Sequence, residues 1–239
     1  MKMFRGHRSV SRAWRGIGAV LLLGTVHARG QYYDPRVEPP KPARYVAVSV
    51  AYRDFRPRSD AALINMSGIM PGLIYHQESV DFQIGYMTYE LEGESRASIV
   101  AITSGSFDLP LSRSPGGGFF LPLLITADYT KAEATGLQRD DFNIGSVGFG
   151  AGLAYRAGAE RWDFGIRAAA AAQYSFEGFG TGSGFSPVLL ADATILLRAV
   201  PLLDGVALGY RFRLQTWNMK TDMFDYRSLM HGLFVGVLF

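Results

Sequence analysis

The last fourteen residues of the chain constrain its fold more than any other stretch. Tyr226–Phe239 reads YRSLMHGLFVGVLF, alternates with a period of two, and stops on a phenylalanine. Side chains on a β-strand point alternately to opposite faces, so this periodicity predicts a strand and not a helix. Both faces are rather apolar, so the strand needs a partner on each edge and apolar surroundings.

The closing strand of a barrel in a membrane has both of these. The stretch has alternating hydrophobic residues, the internal glycine Gly232, then Val235 and Val237, and the C-terminal Phe239. In these features it resembles the assembly signal of bacterial outer-membrane β-barrels. The resemblance implies insertion by the barrel-assembly machinery and contact with outer-membrane lipid. The alternative is an ordinary core strand that ends on phenylalanine.

The N-terminal segment, residues 1–28, predicts a secretory signal peptide. It carries five basic residues, then the apolar run Ile17–Val26, which is too short to span a membrane, and small residues before a cut after Ala28 or Gly30. Removing five positive and no negative charges lowers the formal charge from +3 to −2. The basic character therefore belongs to the targeting segment, and we expect no nucleic-acid partner.

Composition restricts the fold and the chemistry of the remaining chain. The chain has no cysteine, which excludes disulfides, thiolate metal sites and a lipidated N-terminal cysteine. Beyond the signal, no apolar run is long enough for a membrane helix. Residues 29–42 contain four prolines and predict an extended periplasmic lead-in. Residues 43–239 then form the predicted domain, a closed antiparallel up-and-down transmembrane β-barrel.

Alternation along this domain predicts about ten strands, with eight as the alternative. Ten is even, so both termini fall on one side of the membrane. One link, 108–117, is longer than expected for the periplasmic side, and Pro122 must lie at a strand start or a bulge. The predicted strands are Tyr45–Phe55, Met70–Gln77, Val80–Glu90, Arg96–Phe107, Phe119–Tyr129, Asn143–Arg156, 162–175, Val188–Ala199, 206–215 and 226–239.

Two aromatic residues of the seventh strand, Trp162 and Tyr174, have the spacing of two membrane girdles. They share the outward face and are twelve residues apart. At about 3.3 Å per residue and a tilt near 40°, this separation spans roughly 30 Å. We predict that they mark the two interfaces of the bilayer.

The predicted lumen face collects charge. In a barrel of eight to ten strands the interior is barely wider than its side chains, so buried charges must be paired. We expect an ion-pair network, with an arginine-lined path for a small anion as the alternative. Inward glycines at 148, 150 and 152 leave room for large opposing side chains or for a narrow pocket. The charged residues assigned to the lumen are Arg53, Asp81, Glu90, Asp163, Arg167, Asp192, Arg198, Arg211 and Arg213.

No catalytic or cofactor-binding pattern emerges. After the signal only two histidines remain. His76 lies toward the periplasmic end, and the alternation of its strand places His231 on the lipid-facing side. No His-x-Ser sequence follows residue 28. Asp128 with Asp140 and Asp141, or Asp222 with Asp225, could bind surface Ca²⁺, but solvated loop charge is the simpler interpretation. We expect no enzyme, no cofactor and no metal.

The sequence thus predicts a small outer-membrane β-barrel, similar in architecture to the OmpA-transmembrane and OmpW type. The expected role is structural, anchoring or surface-interacting, with other envelope proteins as partners. The alternatives are a narrow pore or carrier for small solutes or hydrophobic molecules, and a soluble exported β-barrel that binds a ligand.

Overall fold

A computed structural model describes residues 43–114, 116–134, 141–177, 182–200 and 202–239. The predicted signal peptide and lead-in lie outside these ranges. Besides a short 3-10 helix at Asp222–Phe224, the described chain is built of ten strands. These are β1 Arg44–Pro57, β2 Met66–Gln77, β3 Val80–Leu91, β4 Glu94–Ser114, β5 Gly117–Ala132, β6 Phe142–Ala159, β7 Trp162–Glu177, β8 Ser183–Val200, β9 Leu203–Met219 and β10 Tyr226–Leu238.

The ten strands form a closed ring. Each strand pairs antiparallel with its neighbours in sequence, and β10 pairs with β1 from Tyr45 opposite Leu238 to Pro57 opposite Tyr226. The predicted up-and-down barrel and the count of ten are confirmed, and the alternative of eight strands is wrong. Closure leaves no free first or last strand.

The strands alternate between an apolar outside and a packed inside. On β1, Val46, Val48 and Val50 are exposed, whereas Tyr45 and Ala47 are buried. The same alternation runs through β3, β7 and β10. The core of the molecule is therefore the barrel lumen, and its exterior is the apolar surface that a bilayer requires.

The two ends of the barrel differ in the length of their links. At the end that carries both termini, which we call the turn end, the four links are 78–79, 115–116, 160–161 and 201–202. At the opposite end, the loop end, the links are 58–65, 92–93, 133–141, 178–182 and 220–225. The shortest of them, 92–93, is a tight turn, with positive φ at both Glu92 and Gly93 as a type I′ turn requires.

Three sequence-based boundaries need correction. The predicted long link 108–117 is wrong, because β4 continues to Ser114 through an irregularity between Pro110 and Ser112. Strand two begins at Met66 and is not short. Pro122 lies inside β5 with no bulge there: the register with β6 is unchanged on either side, and only Leu121 and Pro122 lack partners on β6.

Small residues let β6 and β7 approach closely. A Cβ atom added at Gly148 would lie 2.0 Å from the carbonyl oxygen of Ala172, and one at Gly152 would lie 2.3 Å from that of Ala168. The predicted room beside these glycines is therefore occupied by the neighbouring strand itself. The atoms nearest to these positions are backbone atoms and alanine Cβ atoms of β7.

Candidate functional site

An ion-pair cluster fills the lumen toward the turn end. Asp81 on β3 accepts a hydrogen bond from Arg211 Nη2 at 2.7 Å and lies 3.0 Å from His76 Nδ1. Arg167 Nη2 is 3.8 Å from the same carboxylate, and Arg167 Nε donates to Asp192 at 2.7 Å. Strand register explains the grouping, because Asp192 lies opposite both Arg167 on β7 and Arg211 on β9.

A second pair lies nearer the turn end. Arg198 Nε on β8 donates to Asp163 on β7 at 2.7 Å. Both side chains are about one-fifth exposed. Seven of the predicted lumen charges therefore form short ion pairs. For six of them the partner is another predicted lumen charge. The seventh, Arg213, has a partner that the sequence did not suggest.

That partner is Asp128, which is buried in the middle of the lumen. Arg213 Nη2 donates to its carboxylate at 2.6 Å, Gln173 Nε2 at 2.7 Å and Gln215 Nε2 at 3.1 Å. The interpretation of Asp128 as solvated loop charge is wrong, and Asp140, which the calcium alternative also used, lies outside the described residues. Asp128 lies two residues after the inward Thr126, so the two side chains point to the same face of β5. This spacing could have placed Asp128 inside the barrel.

Arg53 differs from the other lumen arginines. It is 1 % exposed, and its Nη1 donates to Ser98 Oγ at 2.7 Å while its Nε donates to Ser228 Oγ at 3.3 Å. Among the described residues Nη2 has no hydrogen-bond partner, and no carboxylate forms an ion pair with the guanidinium. Phe55 covers it, with its ring centre 5.0 Å from Arg53 Cζ.

An aromatic cluster closes the lumen at the loop end. Phe55 stacks on Tyr226 at 4.6 Å, and Phe142 meets Phe55 and Trp217 edge-on, both at 5.1 Å between ring centres. All four rings are at most 2 % exposed. Arrangements of this kind stabilise through both burial and ring geometry.

Small cavities lie between these groups. Two of them hold about 10 Å³ each, the room of one water molecule. One is lined by Arg53, Arg213 and Trp217, and the other by Gln83, Arg211 and Phe234. Within the described ranges, no three His, Asp or Glu side chains come together as a metal site.

Glu90 and the two histidines complete the account of candidate residues. The assignment of Glu90 to the lumen is wrong, because it is exposed and shares the outward parity of Tyr86 on β3. His76 stacks on Tyr45 inside the turn end, with ring centres 4.8 Å apart. His231 lies on the outer face between Tyr52 and Tyr210.

The remaining predicted residues lie on the outside or in the closing strand. Trp162 and Tyr174 are 43 % and 58 % exposed at opposite ends of β7. In β10, Val235 and Val237 face outward, and Phe239 follows with its amide donating to the carbonyl of Arg44 at 3.2 Å. Gly232 lies so close to β1 that an added Cβ would be 2.5 Å from Ala51 Cα. Their roles as girdle and assembly signal stay predictions.

An apolar exterior, a polar interior, and ten strands paired into a closed ring define a class of protein. The chain is a small ten-stranded barrel of the transmembrane type. In the part that the structure describes, no helix has the length and apolarity to cross a bilayer.

Comparison with known proteins gives similar structures and no family. No protein-family model and no curated protein sequence matches the chain. Neisserial surface protein A aligns with 13 % identity over 82 % of this chain and 97 % of its own, at a TM-score of 0.35. The outer membrane protease OmpT from Escherichia coli aligns with 8 % identity over 83 % and 95 %, at 0.34.

The attachment invasion locus protein Ail of Yersinia pestis, in complex with the heparin analogue sucrose octasulfate, aligns with 10 % identity. The alignment covers 84 % of this chain and 100 % of that chain, at a TM-score of 0.29. At these TM-scores the likeness carries no argument about activity. The fold is established by the chain's own closed ring of strands.

Proposed function

We propose that the chain is a non-conducting barrel of the bacterial outer membrane that anchors and presents a surface at its loop end. The observation that carries the proposal is the filled lumen. Ion pairs occupy its turn-end half, the Asp128 cluster its middle, and Phe55, Phe142 and Trp217 its loop end. A path for solutes would have to displace buried, paired charges, which is energetically costly.

The loop end supports a role in presentation because two of its links are tied together. Arg58 N donates to the carbonyl of Asp225 at 2.8 Å, and Ser59 Oγ donates to that of Asp222 at 2.5 Å. Ile64 N also donates to Tyr226 Oη at 3.0 Å. These bonds order a surface made by the links 58–65 and 220–225, which other envelope proteins could contact.

We also propose that the chain is not an enzyme. His76 is held by Asp81 and Tyr45 inside the turn end, and His231 faces the lipid side of the wall. No described histidine thus lies at the loop end, where a substrate outside the cell would meet the barrel.

Single-channel recording tests the central part of this proposal. The purified chain, reconstituted in planar bilayers, should add no discrete conductance steps over a range of voltage. A folded variant with Phe55→Ala and Phe142→Ala lacks the aromatic cluster. It tests whether the charged layers alone keep the lumen closed, and it too should add no conductance steps. Reproducible steps from the unmodified chain would favour the alternative function, a narrow pore.

A further inference from the structure

One pair of neighbouring strands is joined along only half its length. Strands β2 and β3 pair from Gln77 opposite Val80 to Gly72 opposite Gly85, six residues on each strand. Beyond that point, Met66–Pro71 pairs with β1 alone and Tyr86–Leu91 pairs with β4 alone. Pro71 is the first residue past the paired stretch, and it has no amide hydrogen to donate. We call this unpaired stretch the seam.

Methionine side chains fill the seam from inside. Met70 crosses it toward β3, so that a Cβ atom added at Gly85 would lie 2.7 Å from Met70 Cε. Met87 crosses toward β2, where a Cβ atom at Gly68 would lie 3.2 Å from Met87 Cε. Both are at most 2 % exposed, and they share one buried cluster with Met66 and Met230. Methionine is flexible and adapts to ligands of varied shape.

Arg53 lies directly behind the seam. It is opposite Gly68 in the β1–β2 register, and its Nη1 bonds to Ser98, which is opposite Met87 in the β3–β4 register. Since β2 and β3 stand between β1 and β4 in the ring, the Arg53 side chain passes behind both seam strands. Its Nη2 is buried and has no partner among the described residues.

The seam begins at the level of outward tyrosines. Tyr52 is opposite Ile69, in the half of the seam nearer the turn end. Tyr86 is the first residue of β3 that has no partner on β2. Tyr52 and Tyr86 are 39 % and 49 % exposed on the outer face. Tyrosines on the outer face of a barrel are enriched at the headgroup level of the bilayer. We therefore place the opening of the seam where polar headgroups and acyl chains meet.

We propose that the seam is a lateral binding site for a single-chain anionic amphiphile. The carboxylate or phosphate head accepts hydrogen bonds from Arg53, including its free Nη2, and the acyl chain runs out through the seam into the bilayer. A buried guanidinium without a counter-ion is costly, so an anion that enters there is bound strongly. The inference rests on the bilayer position of the proposed function but not on a closed lumen.

Tryptophan fluorescence tests the site, because only two tryptophans follow the signal segment, Trp162 and Trp217. Trp217 lines the same cavity as Arg53, and Trp162 lies at the turn end. In a Trp162→Phe background, 2-bromohexadecanoate carries its quenching atom beside the head. We expect saturable quenching of Trp217 that unlabelled hexadecanoate reverses.

Two variants and a control give the test its direction. Arg53→Met should weaken binding by about tenfold or more, since it removes a charged donor. Gly68→Leu fills the inner side of the seam and should also weaken binding. An added Cβ atom there contacts only the flexible end of the Met87 side chain, which can move aside. Gly165→Leu is the matched control, because an added Cβ there meets nothing within 4 Å. The fold of each is checked by its heat-dependent gel mobility.

Competition separates the sources of the anion. If hexadecyl phosphate displaces the brominated probe better than hexadecanoate does, the site binds phosphate headgroups. If hexadecanoate displaces it better, the site binds fatty acids. Hexadecanol as effective as either would overturn the role of Arg53. Quenching that is absent, or unchanged in both Arg53→Met and Gly68→Leu, would overturn the site itself. Channel recording is independent of these readings, so the proposed function can fail or hold separately.

Discussion

At the scale of single residues, the buried charges of the lumen are fixed by their partners. Asp128 has a side chain 1 % exposed and accepts from Arg213, Gln173 and Gln215. Removing one member of a buried pair leaves the other charge without compensation, which typically costs more than the pair itself contributes.

We therefore predict that Asp128→Leu lowers the free energy of unfolding by about 3–5 kcal/mol. Urea titration of the barrel in detergent micelles measures this change. The double variant Asp128→Leu with Arg213→Leu should recover much of the loss, because no unpaired charge remains. Asp60→Asn in an exposed link is the control, expected to change stability by less than about 0.5 kcal/mol. Equal losses in the single and double variants would contradict the ion-pair explanation.

The sequence anticipates the inward arginines because their parity follows from strand alternation. It does not anticipate which acid each one meets, since that depends on the stagger between strands. Arg211 contacts Asp81 from a strand 130 positions away. Asp128 was missed because the charged run after it resembles a loop, and Glu90 was misplaced by one step of alternation.

At the scale of elements, glycines decide how closely the strands of the wall approach. The Cβ atom of an alanine at Gly148 would lie 2.0 Å from the Ala172 carbonyl oxygen and 2.6 Å from Gln173 Cα. Both obstacles are backbone atoms, which cannot move without displacing β7. Overpacking of this kind typically costs about 1–3 kcal/mol or more.

We predict that Gly148→Ala reduces the folded fraction recovered on refolding into detergent. The readout is the fraction of protein that runs at altered gel mobility without boiling. Gly165→Ala, on the adjacent strand with open space around its Cβ, should refold like the unmodified chain. If both variants refold equally well, the close approach of β6 and β7 is not a constraint on folding.

The closing strand carries a second prediction at this scale. Phe239 is 57 % exposed, contributes one terminal amide bond to β1 and stacks on Tyr75 at 6.4 Å between ring centres, so its removal should change stability in vitro only slightly. The predicted assembly signal includes this residue, so we expect it to matter in cells. Deleting Phe239 should sharply lower the amount recovered in the outer-membrane fraction while refolding in detergent stays normal. Parallel losses in both assays would instead indicate a structural role.

Element boundaries show where sequence patterns fail. Proline and glycine suggested a loop at 108–117, but β4 accommodates Pro110 with a local irregularity and keeps Leu109 and Leu111 on its surface. Strand pairing therefore continues through the loop-like composition, although the alternation is interrupted at Pro110. The unpaired half of β2 and β3 could not be foreseen, because periodicity describes each strand alone and not its partners.

At the scale of the whole molecule, the contrast between short and long links orients the barrel. Outer-membrane barrels have short periplasmic turns and longer outer loops, so the turn end should face the periplasm. The chain contains no cysteine, and single cysteines can therefore report accessibility without background.

We predict that Asp60→Cys, in the link 58–65, reacts with a membrane-impermeant maleimide on intact cells. Leu202→Cys, fully exposed in a turn-end link, should react only after the outer membrane is permeabilised. Both positions are exposed to solvent, so access from outside the cell separates them. Labelling of Leu202→Cys on intact cells, without Asp60→Cys, would reverse the orientation.

The central claim is that this chain is a closed barrel embedded in the outer membrane. Fractionation of cells, followed by gel mobility with and without boiling, tests it most directly. We predict recovery from the outer-membrane fraction only with detergent and a band whose mobility changes on heating. Recovery without detergent, with a single mobility, would contradict it and place Val46, Val48 and Val50 at a protein surface that water covers.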